Sequence, residues 1–421
     1  TGMTSALIQH DHRHLALVTV NNGHTGGMQT FTRRLLGSAL EHGWRVTVGL
    51  SGDDVYGQLA ARYPSRIKVD RLDWVDSTLK GDRSYGVSGV QRAWKWFRTI
   101  RPDVVLFVQS SNTPFRASVM GAWLAGVPIV TTHRTMADTR ELLPSKRHLH
   151  GLLPGLGLHR RKVVLKTWLT AAMARRVVYN NHAVRRGYEH GYGFSKSKGV
   201  VIPNAVDLDV NTARTKPRDA LVVGYVGRLG FEKRLDILFE AFAQLDRRRE
   251  VTLSIFGDGP DRPRLEGLAR KLDIAARVRF HGEVSDVAAA YAACDIVALC
   301  SMRESSSNMI LEAMAAGKAV VVTNVGGLPE LIGHGTGGMC VPPLDPDALA
   351  TTLSTLIDHP AERGRLGASA VTLARTHHAP DRVAGMWLTL LESTAGKTFS
   401  AQKSPGRPSE AAVIGLSSAT A

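Results

Sequence analysis

The chain has 421 residues, too long for one ordinary core and long enough for two domains of about 150–200 residues each. Its 43% apolar and 21% charged content is that of a globular protein, and no run reaches the ~18–20 uninterrupted apolar residues of a membrane span. The net charge of +16 makes the surface prefer anions; with 6% aromatic residues and no basic–aromatic interleaving, nucleic acid is not expected among them.

Thr1 to His14 is polar and His-rich and lacks the basic start and apolar centre of a signal peptide, so a cytoplasmic location is expected. Residues 1–14 are read as a flexible N-terminus. Leu15–Val20 reads as a strand that leads through a Gly26-Gly27 turn into a helix with Met28, Phe31, Leu35, Leu36 and Leu40 on its apolar side. Gly43 ends that helix. Further strands are expected at Val46–Leu50, Val104–Val108, Pro128–Thr132, Val177–Tyr179 and Val200–Ile202.

Between Arg140 and Arg186 lies a basic stretch, with Lys146, Arg147, Arg160, Arg161, Lys162, Lys166, Arg175 and Arg176 among leucines and Trp168. Two readings of it stand. Its apolar side packs on the core with solvated cations outside, or it lies on an anionic membrane surface, giving a peripheral protein.

Asn211–Arg218 is polar and reads as the linker. A second series of strands follows at Leu221–Val226, Leu253–Phe256, Val278–Phe280, Ile296–Cys300, Ala319–Thr323 and Met339–Val341. Repeated βαβ units imply parallel sheets, so the fold class is α/β with two doubly wound domains facing across a cleft. Cys294, Cys300 and Cys340 form no Cys-x-x-Cys pair and are expected to be buried thiols. The last helix spans Val383–Leu391, and residues 396–421, rich in Ser, Ala, Gly and Pro, are read as a disordered tail.

The most informative stretch runs from Ser301 to Gly317. An apolar strand opens into a polar loop carrying Glu304, then into a helix with Ile310, Leu311 and Met314 on one side and Glu312 on another. Such a loop stands at the C-terminal edge of a parallel sheet, where open α/β folds bind ligands. The amides of Ser306, Ser307, Asn308 and Met309 would form an anion site beside two carboxylate acceptors suited to sugar hydroxyls. Taken alone, two Glu near a helix start usually mark a solvated face. Upstream, Arg228 and Lys233 flank Gly227 and Gly230 directly after a buried strand. Fixed cations in that place suit a diphosphate leaving group.

The Glu-x7-Glu spacing followed by Ala313-Met-Ala-Ala-Gly317 closely resembles the signature of the retaining glycosyltransferases of family 4. Gly224–Lys233 resembles that family's diphosphate loop, Gly257-Asp-Gly259 its second Gly-rich turn, Phe280-His281-Gly282 its approach to the base, and Gly326-Gly-Leu-Pro-Glu330 the turn after the next strand. The match covers roughly residues 15–395. It implies the GT-B fold, with an acceptor-binding domain over 15–210, a nucleotide-sugar-binding domain over 211–377 and a crossover helix over 378–395 that packs back on the first domain.

The resemblance also implies roles. Glu312 accepts from the ribose hydroxyls, and Glu304 holds the donor sugar. Arg228 and Lys233 stabilise the departing diphosphate, so no metal or other cofactor is needed. His133 makes a polar contact to the sugar. Gly26, Gly27, Gly227, Gly257 and His281 line the donor site. Ser305-Ser306-Ser307 stands where many relatives have Gly-Phe-Gly. The expected partners are a nucleotide-diphosphate sugar and a glycan or lipid-linked acceptor. A nucleotide-sugar epimerase of the same fold and a non-catalytic binding module are the rival readings. A dinucleotide dehydrogenase is disfavoured because Asn21–Gly27 lacks a Gly-x-Gly-x-x-Gly.

Overall fold

A computed structural model describes residues 13–21, 27–52, 54–74, 87–109, 115–137, 155–208 and 220–396, without the side chains of Asn21 and of residues 155–163. The expected linker, Lys146, Arg147 and Gly26 lie outside the described residues. So do residues 397–421 of the expected tail and residues 1–12 of the expected N-terminal segment. The described residues fall into two compact units. One draws on Thr1–Tyr179, Tyr188–Val200 and Ala384–Ala421, the other on Asn180–Gly187 and Val201–Val383.

The first unit holds a seven-stranded sheet in the order β3-β2-β1-β4-β5-β6-β7. Its strands are β1 (His14–Asn21), β2 (Arg45–Gly52), β3 (Ile67–Arg71), β4 (Val104–Gln109), β5 (Ile129–His133), β6 (Arg176–Tyr179) and β7 (Gly199–Val201). The pairs from β3 through β6 are parallel. Leu15, Ala16, Leu17 and Val18 are all fully buried, as a strand covered on both faces requires. Sequence periodicity does not reveal β3. Ile-Lys-Val-Asp-Arg carries alternating charges because it is an edge strand, with only Ile67 buried.

The first helix, Gly27–Glu41, buries Leu35, Leu36 and Leu40 as expected, but also Gln29 and Thr32. Phe31 instead meets Trp387 at a ring separation of 5.3 Å. Trp387 belongs to the helix Pro380–Ala395, and its residues from Ala384 onward cluster with this unit.

The second unit holds a six-stranded parallel sheet in the order β10-β9-β8-β11-β12-β13. Its strands are β8 (Leu221–Val226), β9 (Val251–Phe256), β10 (Val278–Gly282), β11 (Ile296–Leu299), β12 (Ala319–Thr323) and β13 (Met339–Val341). Strand order reverses between β8 and β11, whose Val223 and Gly224 pair with Ile296 and Val297. The loops that leave these two strands therefore start side by side at the carboxyl edge, the usual ligand position in such sheets.

Cys300 directly follows β11 and is buried, and burial pushes its thiol up to about 12. Cys340 corrects the expectation of buried thiols. It is exposed, because β13 is the edge strand of its sheet.

Candidate functional site

Three loops of the second unit are joined backbone to backbone. The Gly227 amide donates to Phe256 O at 2.8 Å, Leu229 to Asp258 O at 2.9 Å, and Gly257 to Gly282 O at 2.7 Å. Gly257 has φ +129°, and a Cβ there would run into the Gly227 carbonyl. The turn after β9 can thus lie directly against the turn after β8 only with glycine at that position. The Tyr225 hydroxyl donates to Arg228 O at 2.9 Å and fixes the first loop from below. Burial and the nearby Glu304 raise the pKa of that phenol, so it remains a donor at ordinary pH.

On this platform Lys233 ends a short 3-10 turn, Phe231–Lys233. Its ammonium contacts the Glu304 carboxylate at 2.7 Å, with both side chains largely screened from solvent. Two groups 71 residues apart in sequence are thereby brought together. Arg228 stands at the same loop but is exposed, and its guanidinium pairs with Glu232. An exposed pair of this kind contributes at most about 1 kcal/mol, so an arriving anion can displace Glu232 cheaply.

The loop after β11 is held at both ends. Gly327 N–H donates to Glu304 O at 3.2 Å, and the Asn181 side-chain amide donates to Ser305 O. A Cβ at Gly327 would collide with the Ser305 carbonyl and with Asn181, so glycine permits this closure. Ser307 is the N-cap of the helix Asn308–Ala315, its hydroxyl accepting from Ile310 N–H. The amides of Ser306 to Met309 thus stand at a helix N-terminus, where intrahelical partners are lacking and negative charge is favoured.

One turn further, Glu312 Oε2 lies 2.9 Å from the Tyr291 hydroxyl, which also lies 3.0 Å from Met309 O. Burial and the Glu312 carboxylate raise the Tyr291 pKa, so the phenol keeps its proton and orients the carboxylate. Asn204 donates to Asn308 Oδ1 at 2.8 Å. On β10, His281 is exposed and stacks on Phe256 with centroids 4.2 Å apart and planes 7° from parallel. Partial desolvation of the ring against Phe256 and then Arg279 lower its pKa. Among the described residues no cluster of three or more His, Cys, Asp or Glu is placed to hold a metal ion.

The second unit therefore brings together Arg228, Lys233, Glu304, Ser306, Ser307, Asn308, Met309, Glu312, Gly227, Gly257 and His281. Gly27 and His133 belong to the first unit. Gly27 is exposed and opens the helix Gly27–Glu41. His133 ends β5 and is 2% exposed, with its ring 4.4 Å from Tyr188, 5.4 Å from Phe194 and 6.2 Å from Tyr179. Burial lowers its pKa to about 3, so it is neutral. A sugar contact was expected of it; its neighbours here are aromatic rings.

Sequence reasoning missed Asn181, Tyr291, Asn204 and Glu232. It noted Glu330 only as part of a Gly-rich turn. The Glu330 carboxylate accepts from the His182 amide at 3.0 and 3.1 Å, at the start of the helix His182–Tyr192. Its place two residues past Gly327-Leu was the one available signal.

Comparison with known proteins agrees with this geometry. Residues 25–210 match the model described as Glycosyltransferase Family 4, and residues 220–359 that described as Glycosyl transferases group 1. The chain is 37% identical over 232 residues to a D-inositol 3-phosphate glycosyltransferase of Kineococcus radiotolerans, covering 48% of this chain and 53% of that one. It is 30% identical over 296 residues to the enzyme of the same name from Thermomonospora curvata, covering 63% and 67%. The chain spans about half the length of several of the curated relatives it matches. Anabaena Alr3699/HepE, solved in complex with UDP, superposes with a TM-score of 0.70 at 22% identity over 90% of this chain and all of that one, which shows a shared fold. The two parallel sheets are those of the GT-B fold, and the chain belongs to the family 4, group 1 glycosyltransferases.

Proposed function

We propose that the chain is a retaining glycosyltransferase that moves a sugar from a nucleotide-diphosphate sugar to a glycan or lipid-linked acceptor, in assembly of a surface polysaccharide or glycolipid. The observation that carries the reading is the Lys233–Glu304 pair at 2.7 Å, set beside the capped N-terminus of the helix that bears Glu312. It places a cation and backbone amides for a diphosphate next to carboxylates for sugar hydroxyls. The UDP complex of Alr3699/HepE, a protein of the same fold, supports a nucleotide donor. The D-inositol 3-phosphate glycosyltransferases among the relatives support a hydroxyl acceptor.

In this reading the β-phosphate takes the place of Glu304 as the partner of Lys233, and Arg228 turns from Glu232 to the same phosphate. Charge that develops on the leaving oxygens meets fixed cations and amides, which is where preorganised electrostatics lowers a barrier. Glu312, held by Tyr291, accepts from the ribose diol. His281, backed by Phe256, offers a flat face to the base. Glu304, released from Lys233, accepts from the sugar. The attacking acceptor hydroxyl passes its proton to the departing phosphate on the same face, so no protein base is assigned. The roles of His133, Gly26 and Gly27 rest on the family resemblance alone.

Four measurements test this. A thermal-shift screen of UDP-, GDP- and ADP-sugars is expected to show stabilisation by one nucleotide class. Lys233→Ala is expected to slow transfer roughly 10²-fold, by analogy with loss of one oxyanion donor. Transfer is expected to survive excess EDTA. The product's anomeric configuration, read by NMR, is expected to match the donor's. Loss of activity in EDTA with recovery on Mn²⁺ overturns the metal-independent step; inversion overturns retention; interconversion of free nucleotide sugars without acceptor favours the epimerase.

A further inference from the structure

Arg234 directly follows Lys233 and has φ +49° and ψ +46°, a left-handed conformation that residues other than glycine seldom adopt. It ends the turn Phe231–Lys233 and starts the helix Leu235–Ala243. That helix is anchored in the core through Leu235, Ile237, Leu238 and Phe239. One backbone conformation therefore sets the angle between a fixed helix and the loop that carries Arg228 and Lys233. Arginine takes it only against a steric cost, which the surroundings must offset.

The hold is ionic. Arg234 Nε lies 2.9 Å from Asp236 Oδ1 and Nη2 lies 2.9 Å from Asp236 Oδ2, a bidentate pair. The Asp236 side chain is 15% exposed, so water competes little for it. From the other side, Arg264 Nη1 lies 3.8 Å from the same Oδ2. Arg264 also donates through Nε and Nη2 to the two carboxylate oxygens of Asp261, at 2.6 and 2.8 Å, and Asp261 is fully buried. The Asp261 amide donates in turn to Leu229 O at 3.1 Å. These contacts close a frame. It leaves the backbone at Leu229, passes through Asp261, Arg264 and Asp236, and returns to the backbone at Arg234. Lys233 lies within the span, and Arg228 stands one residue before it.

We propose that Asp236 is a positioning residue for the transfer reaction: backed by Arg264 and Asp261, it holds Arg234 left-handed and so fixes where the Lys233 ammonium meets the donor's β-phosphate. This rests on the reading of Lys233 as the diphosphate partner. A cation lowers the barrier most when it need not move as charge develops on the leaving group. A carboxylate that acts only through the backbone thus sets the rate.

The test compares three variants of the full chain with the parent: Lys233→Ala, Asp236→Ala, and Asp236→Ala with Arg234→Gly. Calorimetry measures binding of UDP, GDP and ADP, and of the monophosphate that matches the tightest of them. Asp236→Ala is expected to weaken binding of that diphosphate about fivefold. The monophosphate, which lacks the group that Lys233 meets, is expected to bind as before. Hydrolysis of the matching nucleotide-diphosphate glucose is expected to slow about tenfold, less than on loss of Lys233, because the cation is displaced and not removed. Glycine takes the left-handed conformation without an anchor, so the double variant is expected to recover diphosphate affinity to within about twofold of the parent. A merely structural role would lower the melting temperature and leave the difference between the two nucleotides unchanged. Asp236→Asn, which keeps one oxygen for Arg234, replaces Asp236→Ala in both variants should the latter fail to fold. Parental diphosphate affinity without Asp236, equal weakening of both nucleotides, or a double variant no better than the single one overturns the proposal while the reading of Lys233 stands. No diphosphate binding by the parent, or parental binding by Lys233→Ala, overturns that reading and the proposal with it.

Discussion

Asn181 does two things with one side chain. Its Oδ1 accepts from Val184 N–H at 2.8 Å and caps the helix His182–Tyr192. Its Nδ2 donates to the Ser305 carbonyl in the Glu304–Ser307 loop, and also to Asn180 Oδ1 at 3.2 Å. Substitution by Asp separates the two roles. Asp caps a helix as well as Asn does, but it turns an oxygen on the Ser305 carbonyl in place of a donor. Leaving a buried acceptor unmatched costs about 1–3 kcal/mol, or roughly a tenfold loss. Asn181→Asp is therefore expected to keep the fold, speed amide exchange of the loop and lower nucleotide affinity about tenfold. Unchanged exchange and unchanged affinity would show that Asn181 serves the helix alone. Glu312→Ala is expected to cost on the order of 2–4 kcal/mol in donor binding or transition-state energy. Wild-type donor affinity and turnover in that variant would remove Glu312 from the site.

At the scale of elements, the site is one strand–loop–helix unit laid beside another. The helix Asn308–Ala315 is short, and burial of Ile310, Leu311, Ala313 and Met314 holds it in place. Eight residues are too few for a helix to persist on its own propensity. Its first turn depends on Ser307, which is nearly buried. Ser307→Ala is expected to lower stability of the second unit by about 1 kcal/mol, whereas Ser307→Asp keeps the cap. Urea unfolding of the two variants checks this; equal midpoints would show that packing alone positions the helix. Gly327 sets a stricter condition, because its missing Cβ is the space that the Ser305 carbonyl and Asn181 occupy. Neither condition is visible from the Glu-x7-Glu spacing.

For the whole molecule, His14, His133 and His378, buried among the described residues, couple stability to pH. Burial lowers His133 to about 3, and His14 and His378 to about 4, with Arg45 as a second cause at His14 and the neighbouring His377 at His378. Each is neutral in the fold and takes up a proton below about 6.5 once unfolded. The unfolded chain then binds more protons, so stability is complete above about pH 6.5 and falls as pH drops toward 4. Each such proton contributes about 1.4 kcal/mol per pH unit. His133→Phe is expected to reduce the slope of unfolding free energy against pH by about one proton in that window. A slope unchanged by the substitution would mean that another group carries it.

Much of this was legible in the chain itself. Central strands buried on both faces appear as unbroken apolar runs, and helices under them as apolar residues at helical spacing. The two-unit α/β plan and twelve of the thirteen strands among the described residues follow from that. Arg228, Lys233, Glu304 and Glu312 were legible because each sits at a fixed offset from a strand end, and local offsets are conserved in the linear order of the chain. What tertiary structure alone decided is long-range. The chain does not record that Lys233 meets Glu304, that Asn181 holds Ser305, or that Tyr291 orients Glu312. Each depends on which strands become neighbours at the switch between β8 and β11 or on how a distant segment packs. The basic stretch shows the same limit. Its charge could be counted in the sequence, but whether Leu165, Trp168 and Leu169 face the core or the solvent depends on which side of their helix the neighbouring helices cover.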